Sequence, residues 1–172
     1  MALMVLSVIG SDRPGLTRAL AAAVLSARGN WLESHLSRLG GLYVGSVLVE
    51  VDAGAVEGLR AAVGAVDDHG LEVRIAPAVE DAPAAGETLE FDLVGQDRPG
   101  IVNQVTGVLS GLGVNIETFR SWIDAEPYAG GALFHMAARL RLAPDVEAAR
   151  VQAALEDISA EIMVDVSLSP AG

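Results

Sequence analysis

Apolar positions along the chain change their spacing several times, which indicates that strands and helices alternate. A near-continuous apolar run, as in residues 3–9, is typical of a buried strand. Apolar positions at helical spacing and followed by a glycine, as in the segment that ends at Gly29, indicate a helix that the glycine terminates. The predicted elements of the first half are a strand at 3–9, a helix from about Pro14 to Arg28, strands at 31–39 and 42–51, a helix at 55–69 and a strand at 71–75.

The second half follows the same order. A stretch rich in Pro, Ala, Glu and Asp, residues 77–87, has the composition of a linker. We therefore predict a first domain at 1–76, this linker, and a second domain at 88–172. The predicted elements of the second domain are a strand at 89–94, a helix at 99–112 ended by Gly113, strands at 114–123 and 132–142, a helix at 146–160 and a strand at 162–168, with a longer loop at 124–131.

A repeated hexapeptide shows that the two halves are related. Gly-Ser-Asp-Arg-Pro-Gly at 10–15 returns as Gly-Gln-Asp-Arg-Pro-Gly at 95–100, an offset of 85 (97 − 12) with five of six residues identical. Three more pairs match at this offset: Leu16 with Ile101, Leu20 with Val105, and Asn30 with Asn115. We interpret the chain as a tandem duplication.

Each half therefore has the order βαββαβ, which is the ferredoxin-like split βαβ motif. The predicted fold class is α+β, with two such domains in tandem, each an antiparallel sheet that carries its helices on one face. A unit of this kind leaves its other sheet face or an edge strand available for pairing.

The repeated hexapeptide lies at a strand-to-helix turn, where a ligand could bind. Gly10 and Gly95 would allow close approach of the backbone, and the following helix N-terminus offers free N–H groups and a positive dipole end. Such a turn suits a small carboxylate, and the side chain of Asp12 or Asp97 could hold an ammonium group. The alternative is purely structural: these aspartates, or Ser11, would cap the helix, and the glycines would be turn residues. The sequence leaves both interpretations open.

Composition excludes several classes of function. The chain has 23 acidic and 11 basic residues, all of the latter Arg, and a net charge of −12. We expect no direct nucleic-acid binding, because binders need a basic surface. The absence of Cys excludes thiolate chemistry, and the three histidines, His35, His69 and His135, have no partner at ligand spacing, so neither a metal nor a cofactor is predicted. No apolar run is long enough to span a membrane and no signal peptide is recognisable, so a cytoplasmic location is expected.

The duplicated turn, the helix ended by glycine, and the strand openings Gly29-Asn30-Trp31 and Val114-Asn115-Ile116-Glu117 resemble those of ACT domains. The layout of two such domains and little else, together with the longer second hairpin loop and segments such as 155–159, resembles the glycine cleavage system transcriptional repressor-like proteins.

That resemblance implies a non-enzymatic, amino-acid-sensing regulatory protein whose ligand lies at an interface between ACT units, near the strand-to-helix turn. Carried over by position, the implied ligand-binding residues are Asp12, Arg13, Pro14, Gly15, Asp97, Arg98, Pro99 and Gly100, with Asn30 and Asn115 as a second tier. Trp31 departs from the usual pattern and would fill the core or narrow a pocket. The implied partners are a small amino acid, a second copy in a homodimer and an unidentified protein. The alternative is a ligand-free dimeric adaptor that acts through sheet or helix pairing.

Overall fold

The computed structural model describes residues 1–66, 70–79, 85–125 and 131–171, and divides into two units, Met1–Ala82 and Pro83–Gly172. The division lies inside the predicted linker at 77–87. Of that linker residues 80–84 lie outside the described residues, as do 126–130 of the predicted long loop and the predicted helix end at 67–69, which includes His69.

The first unit is a four-stranded antiparallel sheet with two helices. Its elements are β1 (Ala2–Ser11), α1 (Leu16–Ser26), β2 (Asn30–Leu39), β3 (Leu42–Val51), α2 (Val56–Gly64, after a 3-10 turn at Ala53–Ala55) and β4 (Leu71–Pro77). The strand order is β2-β3-β1-β4.

The second unit repeats this plan. Its elements are β5 (Thr88–Gln96), α3 (Ile101–Gly111), β6 (Asn115–Ala125), β7 (Ala132–Arg141), α4 (Ala148–Ile162) and β8 (Val164–Pro170), and its strand order is β6-β7-β5-β8. The prediction of two tandem ferredoxin-like βαββαβ units is thus confirmed.

Each unit has its own hydrophobic core between the sheet and the helices. Alternate residues of the central strands, such as Leu6 on β1 and Phe91 on β5, are almost fully buried. They pack with the helix leucines: Leu20 and Leu59 belong to the first core, and Leu109 and Leu155 to the second. The intervening strand positions lie on the opposite face of each sheet, which carries no helix of its own unit.

The boundaries of α1, α3 and α4 differ from the predictions by one or two residues, whereas α2 ends at Gly64, earlier than the predicted helix at 55–69. Helices α1 and α3 begin two residues after Pro14 and Pro99, because Gly15 and Gly100 still belong to the turn. The last helix and strand lie two residues later than predicted, since Ile162 is the final, buried residue of α4.

The predicted glycine stop is correct in one unit only. Gly113 follows α3 with a φ of 73°, the left-handed conformation that commonly ends helices. After α1 that conformation belongs to Arg28, with a φ of 56°, and Gly29 is the next residue. A Cβ at Gly29 would lie 3.0 Å from Cγ1 of Val24, so this glycine permits close packing against the helix.

Candidate functional site

The two repeated turns have the same backbone conformation. Gly15 has φ 96° and ψ −7°, and Gly100 has φ 98° and ψ −10°. Their carbonyl groups accept the first helical hydrogen bonds, from the N–H groups of Ala19 and Gln104, each at 2.9 Å. These glycines are therefore the N-cap residues, and their left-handed conformation explains why both repeats have Gly there.

The alternative interpretation, in which the aspartates cap the helices, is wrong. No side chain hydrogen-bonds to the N-terminus of either α1 or α3. Asp12 instead forms an ion pair with Arg38 of β2, with Nε 3.0 Å from Oδ2. Ser11 lies within β1, so it does not cap the helix either.

The first glycine of each hexapeptide is required by the sheet. A Cβ at Gly10 would collide with the carbonyl oxygen of Gly70 and lie 2.9 Å from Cα of Leu71. A Cβ at Gly95 would lie 2.9 Å from Cβ of Val164. The close approach predicted at these two positions is therefore filled by the chain itself, at the start of β4 and β8.

A cavity opens beside each turn. The cavity of the first unit, which we call the first turn cavity, measures about 470 Å³ and is lined by Arg13, Pro14, Gly15, Leu16, Arg18, Ala19 and Ala22. The second turn cavity measures about 440 Å³ and is lined by Asp97, Arg98, Gly100, Ile101, Val102, Asn103, Thr106 and Phe134. Both therefore contain an arginine of the hexapeptide, but only the second is lined by the hexapeptide's aspartate.

The two arginines have different surroundings. The guanidinium of Arg13 lies over Gly70, where even a Cβ would collide with it. The Nε of Arg98 is buried and has no hydrogen-bond partner. A buried, unpaired donor of this kind is costly unless an acceptor reaches it.

The two asparagines do not join the turn of their own unit. In the sheet, Asn30 of β2 lies opposite Glu50 of β3, and Glu50 lies opposite Leu3 at the beginning of β1. The turn, in contrast, follows the end of β1. Seven residues separate Leu3 from Gly10 (10 − 3), which is about 23 Å of strand. Asn115, in register with Arg141, has the same position in the second unit.

The Trp at position 31 fills core space. Its half-buried side chain packs against the first core, as Ile116 packs against the second. It does not line the first turn cavity, so it does not narrow that pocket.

The helix-free face of the second unit carries a cluster that the sequence reasoning missed. The rings of Trp122 and His135 stack with centroids 5.0 Å apart, and Arg120 lies 4.9 Å from the Trp122 ring centre. Asp124 accepts a hydrogen bond from the Trp122 Nε1–H and lies 3.4 Å from Nε2 of His135. His35 of the first unit likewise contacts Glu33 at 3.0 Å, so both strand histidines have an acidic neighbour that the sequence analysis did not assign to them. Within the described residues no group of three or more potential ligands could hold a metal ion.

Part of the missed cluster could have been found from the alternation of side chains along β6. Residues two apart share a sheet face, which places Arg120, Trp122 and Asp124 together. Bringing His135 opposite Trp122, however, requires the strand register, and the sequence does not supply it.

Comparison with known proteins agrees with this architecture. Residues 2–76 match the family model of the ACT domain. A crystal structure of an unknown protein from Galdieria sulphuraria aligns over 99% of both chains with 28% identity and a TM-score of 0.83. A protein described as a glycine cleavage system transcriptional repressor aligns over 99% of this chain and 97% of its own, with 15% identity and a TM-score of 0.70. No curated protein matches the sequence.

In the part of the chain that the structure describes, no helix is long and apolar enough to cross a membrane. The first unit is an ACT domain by its family match, and the second has the same strand order and the same repeated turn. The chain thus contains a matched ACT domain at residues 2–76, and its whole-chain fold is similar to that of the protein described as a glycine cleavage system transcriptional repressor.

Proposed function

We propose that this protein is a non-enzymatic sensor that binds a small amino acid at a strand-to-helix turn and transmits that binding to a protein partner. The observation that carries the proposal is the second turn cavity, where the carboxylate-bearing Asp97 and the guanidinium-bearing Arg98 line one space. An amino acid carries the complementary pair of charges, an ammonium and a carboxylate.

The chemistry of the turn supports binding of such a zwitterion. Arg98 lines this cavity, so its guanidinium can donate to a ligand carboxylate, and charge-assisted hydrogen bonds of this kind are among the strongest in proteins. The N-terminus of α3, which no side chain caps, adds a partial positive charge beside the same carboxylate. Asp97 would hold the ammonium.

Signalling by such a ligand requires two arrangements of the protein. A ligand shifts an equilibrium only by its differential affinity for the two arrangements. The asparagines Asn30 and Asn115 lie far from the turn of their own unit, so they would contribute only if a different unit presented them to the ligand. This is the arrangement that the family resemblance implies, and a homodimer or a protein partner would respond to it.

A thermal-shift panel of the twenty amino acids, confirmed by calorimetry, tests the proposal. A ligand that binds only the folded state adds about 2.7 kcal/mol of stability at a hundredfold excess over Kd. Glycine is the first ligand to test, because of the fold resemblance to a glycine cleavage system repressor. We expect at least one amino acid to raise the melting temperature, and a flat panel would contradict the proposal.

Analogues of the bound amino acid provide the matched controls. The corresponding amine, which lacks the carboxylate, and the corresponding acid, which lacks the ammonium, should each bind at least tenfold more weakly. Equal binding of either analogue would show that one of the two charges is not recognised. If a ligand is found, a turnover assay with it tests the absence of catalysis, and unchanged ligand is the expected result.

A ligand-free adaptor is the second candidate, and the helix-free face of the first unit favours it. Exposed apolar side chains lie on that face, with Leu39 71% and Ile9 46% exposed. A groove of about 630 Å³ on the same face is lined in part by Leu3, Val5 and Leu48. Light scattering of the wild type and of Leu39→Glu separates the candidates: loss of a dimer in the variant, together with a flat amino-acid panel, would favour the adaptor.

A further inference from the structure

Arg38 and Ile123 occupy the same place in the two units. Gly10 pairs with Tyr43, which pairs with Arg38 in β2. In the second unit Gly95 pairs with Phe134, which pairs with Ile123 in β6. The two strand registers therefore make Ile123 the counterpart of Arg38, and Phe134 the counterpart of Tyr43.

Two polar contacts tie the first turn to its hairpin. Arg38 holds Asp12 through the ion pair at 3.0 Å. Thr17, on the first turn of α1, shares a hydrogen bond of 2.7 Å with the hydroxyl of Tyr43. The side chains of Asp12 and Thr17 at this turn are therefore already engaged by side chains of the same unit.

The second turn has neither contact. The counterparts of Arg38, Thr17 and Tyr43 are all apolar: Ile123, Val102 and Phe134. Among the described residues, the Asp97 side chain has no ion pair and no hydrogen bond, and its backbone N–H donates to Ala132. One cavity of the second unit is thus lined by an unengaged carboxylate, that of Asp97, and by Arg98, whose buried Nε has no hydrogen-bond partner.

The two turn cavities also differ in charge. The first is lined by two cations, Arg13 and Arg18, and Asp12 is not among its lining residues. In the second, Asn103 stands at the position of Arg18, and Asp97 lines the wall. The described residues that line the first cavity include two cations and no acidic residue, whereas those of the second include one charge of each sign.

We propose that only the second unit binds the amino acid, and that Arg38 takes in the first unit the place of the ligand's ammonium group. This inference rests on the proposed function and specifies its site. Asp97 holds the ligand ammonium, Arg98 holds the carboxylate, and the ligand's side chain faces Val102 and Phe134. The apolar lining at these positions favours a small neutral side chain over a charged one.

Calorimetry on the full chain with the amino acid that gives the largest thermal shift tests this inference. We expect one ligand per chain. Ile123→Arg should place a guanidinium beside Asp97, as Arg38 lies beside Asp12, and weaken binding at least tenfold. Ile123→Gln has a similar length and no charge, and its affinity should stay within threefold of the wild type. Position 123 is 56% exposed, so both variants should fold, which circular dichroism verifies.

Amide NMR spectra of the labelled wild-type protein give a readout that needs no variant. Titration with the same amino acid should shift the Gly100 resonance and leave that of Gly15 in place. Two ligands per chain, a shift of Gly15, or wild-type affinity in Ile123→Arg would overturn the inference while leaving the proposed function standing. If no amino acid binds the wild type, the proposed function itself fails.

Discussion

Nε of Arg38 lies 3.0 Å from Oδ2 of Asp12 and joins the edge strand β2 to the turn before α1. The two residues are 26 positions apart (38 − 12), and the hairpin formed by β2 and β3 brings them together. In the duplicated unit the same strand position is Ile123, so two hexapeptides that share five of six residues have different electrostatic surroundings. The two copies of a repeated motif need not share a function.

The Arg38–Asp12 ion pair should contribute little to stability. Its side chains are 71% and 41% exposed, so the charges interact mainly through water. We expect Arg38→Ile to lower the free energy of unfolding by at most about 1 kcal/mol, and less in high salt. Urea denaturation at low and high ionic strength measures this, and a double-mutant cycle with Asp12→Asn isolates the pair. A loss well above that range would mean that the pair also maintains the turn.

Gly10 should not tolerate even a methyl group. A Cβ there would collide with the backbone of Gly70, so Gly10→Ala should lower the free energy of unfolding by about 1–3 kcal/mol. Gly58 in α2 is the matched control, because a Cβ there meets nothing within 4 Å. Gly58→Ala should instead raise stability by about 0.5–1 kcal/mol. Chemical denaturation of both variants measures this contrast. If both substitutions change the free energy of unfolding in the same direction, the prediction is contradicted.

Two glycines near the end of α3 should respond in opposite directions. Gly107 lies within the helix with open space around its Cα, so Gly107→Ala should stabilise the protein by about 0.5–1 kcal/mol. Gly113 has a φ of 73°, so Gly113→Ala should destabilise it by about 1–2 kcal/mol. Thermal denaturation of the two variants measures these effects. A neutral Gly113→Ala would show that the chain can end this helix in another way.

The stack of Trp122 on His135 should be a measurable cross-strand interaction. Its rings are parallel within 5° at 5.0 Å, a geometry worth about 0.5–1.5 kcal/mol beyond burial for aromatic pairs. A double-mutant cycle with Trp122→Leu and His135→Leu should give a coupling energy in that range. Additive effects of the two substitutions would show that the stack does not persist in solution.

Most of the fold could be predicted because each signal was local. Strand alternation, helical spacing and turn glycines reflect interactions between residues close in sequence. The errors fell where local rules compete: Asp12 has a good capping side chain, but Gly15 takes the cap position because the turn requires a left-handed residue. At the end of α1, Arg28 rather than Gly29 adopts the left-handed conformation.

The candidate site was less accessible to sequence reasoning. The hexapeptides and both turn arginines were found, but Val102, Phe134 and Asn103 were missed as lining residues of the second turn cavity. Position-by-position comparison of the repeats at the offset of 85 would have paired Arg38 with Ile123. Phe134 could not be paired in this way, because the longer second loop shifts its offset from Tyr43 to 91 (134 − 43).

The sequence by itself determined the duplication, the ferredoxin-like class and the place of the repeated turn, because these follow from periodicity and from a motif written twice. Only the tertiary structure decided that Asp12 forms an ion pair with Arg38, whereas the counterpart of Arg38 in the second unit is the apolar Ile123. It also decided that Asn30 lies at the other end of its sheet from the turn. Such relationships depend on strand register, which is set by hairpin length and by long-range pairing, and a charge acquires its role only from the side chain that the register places beside it.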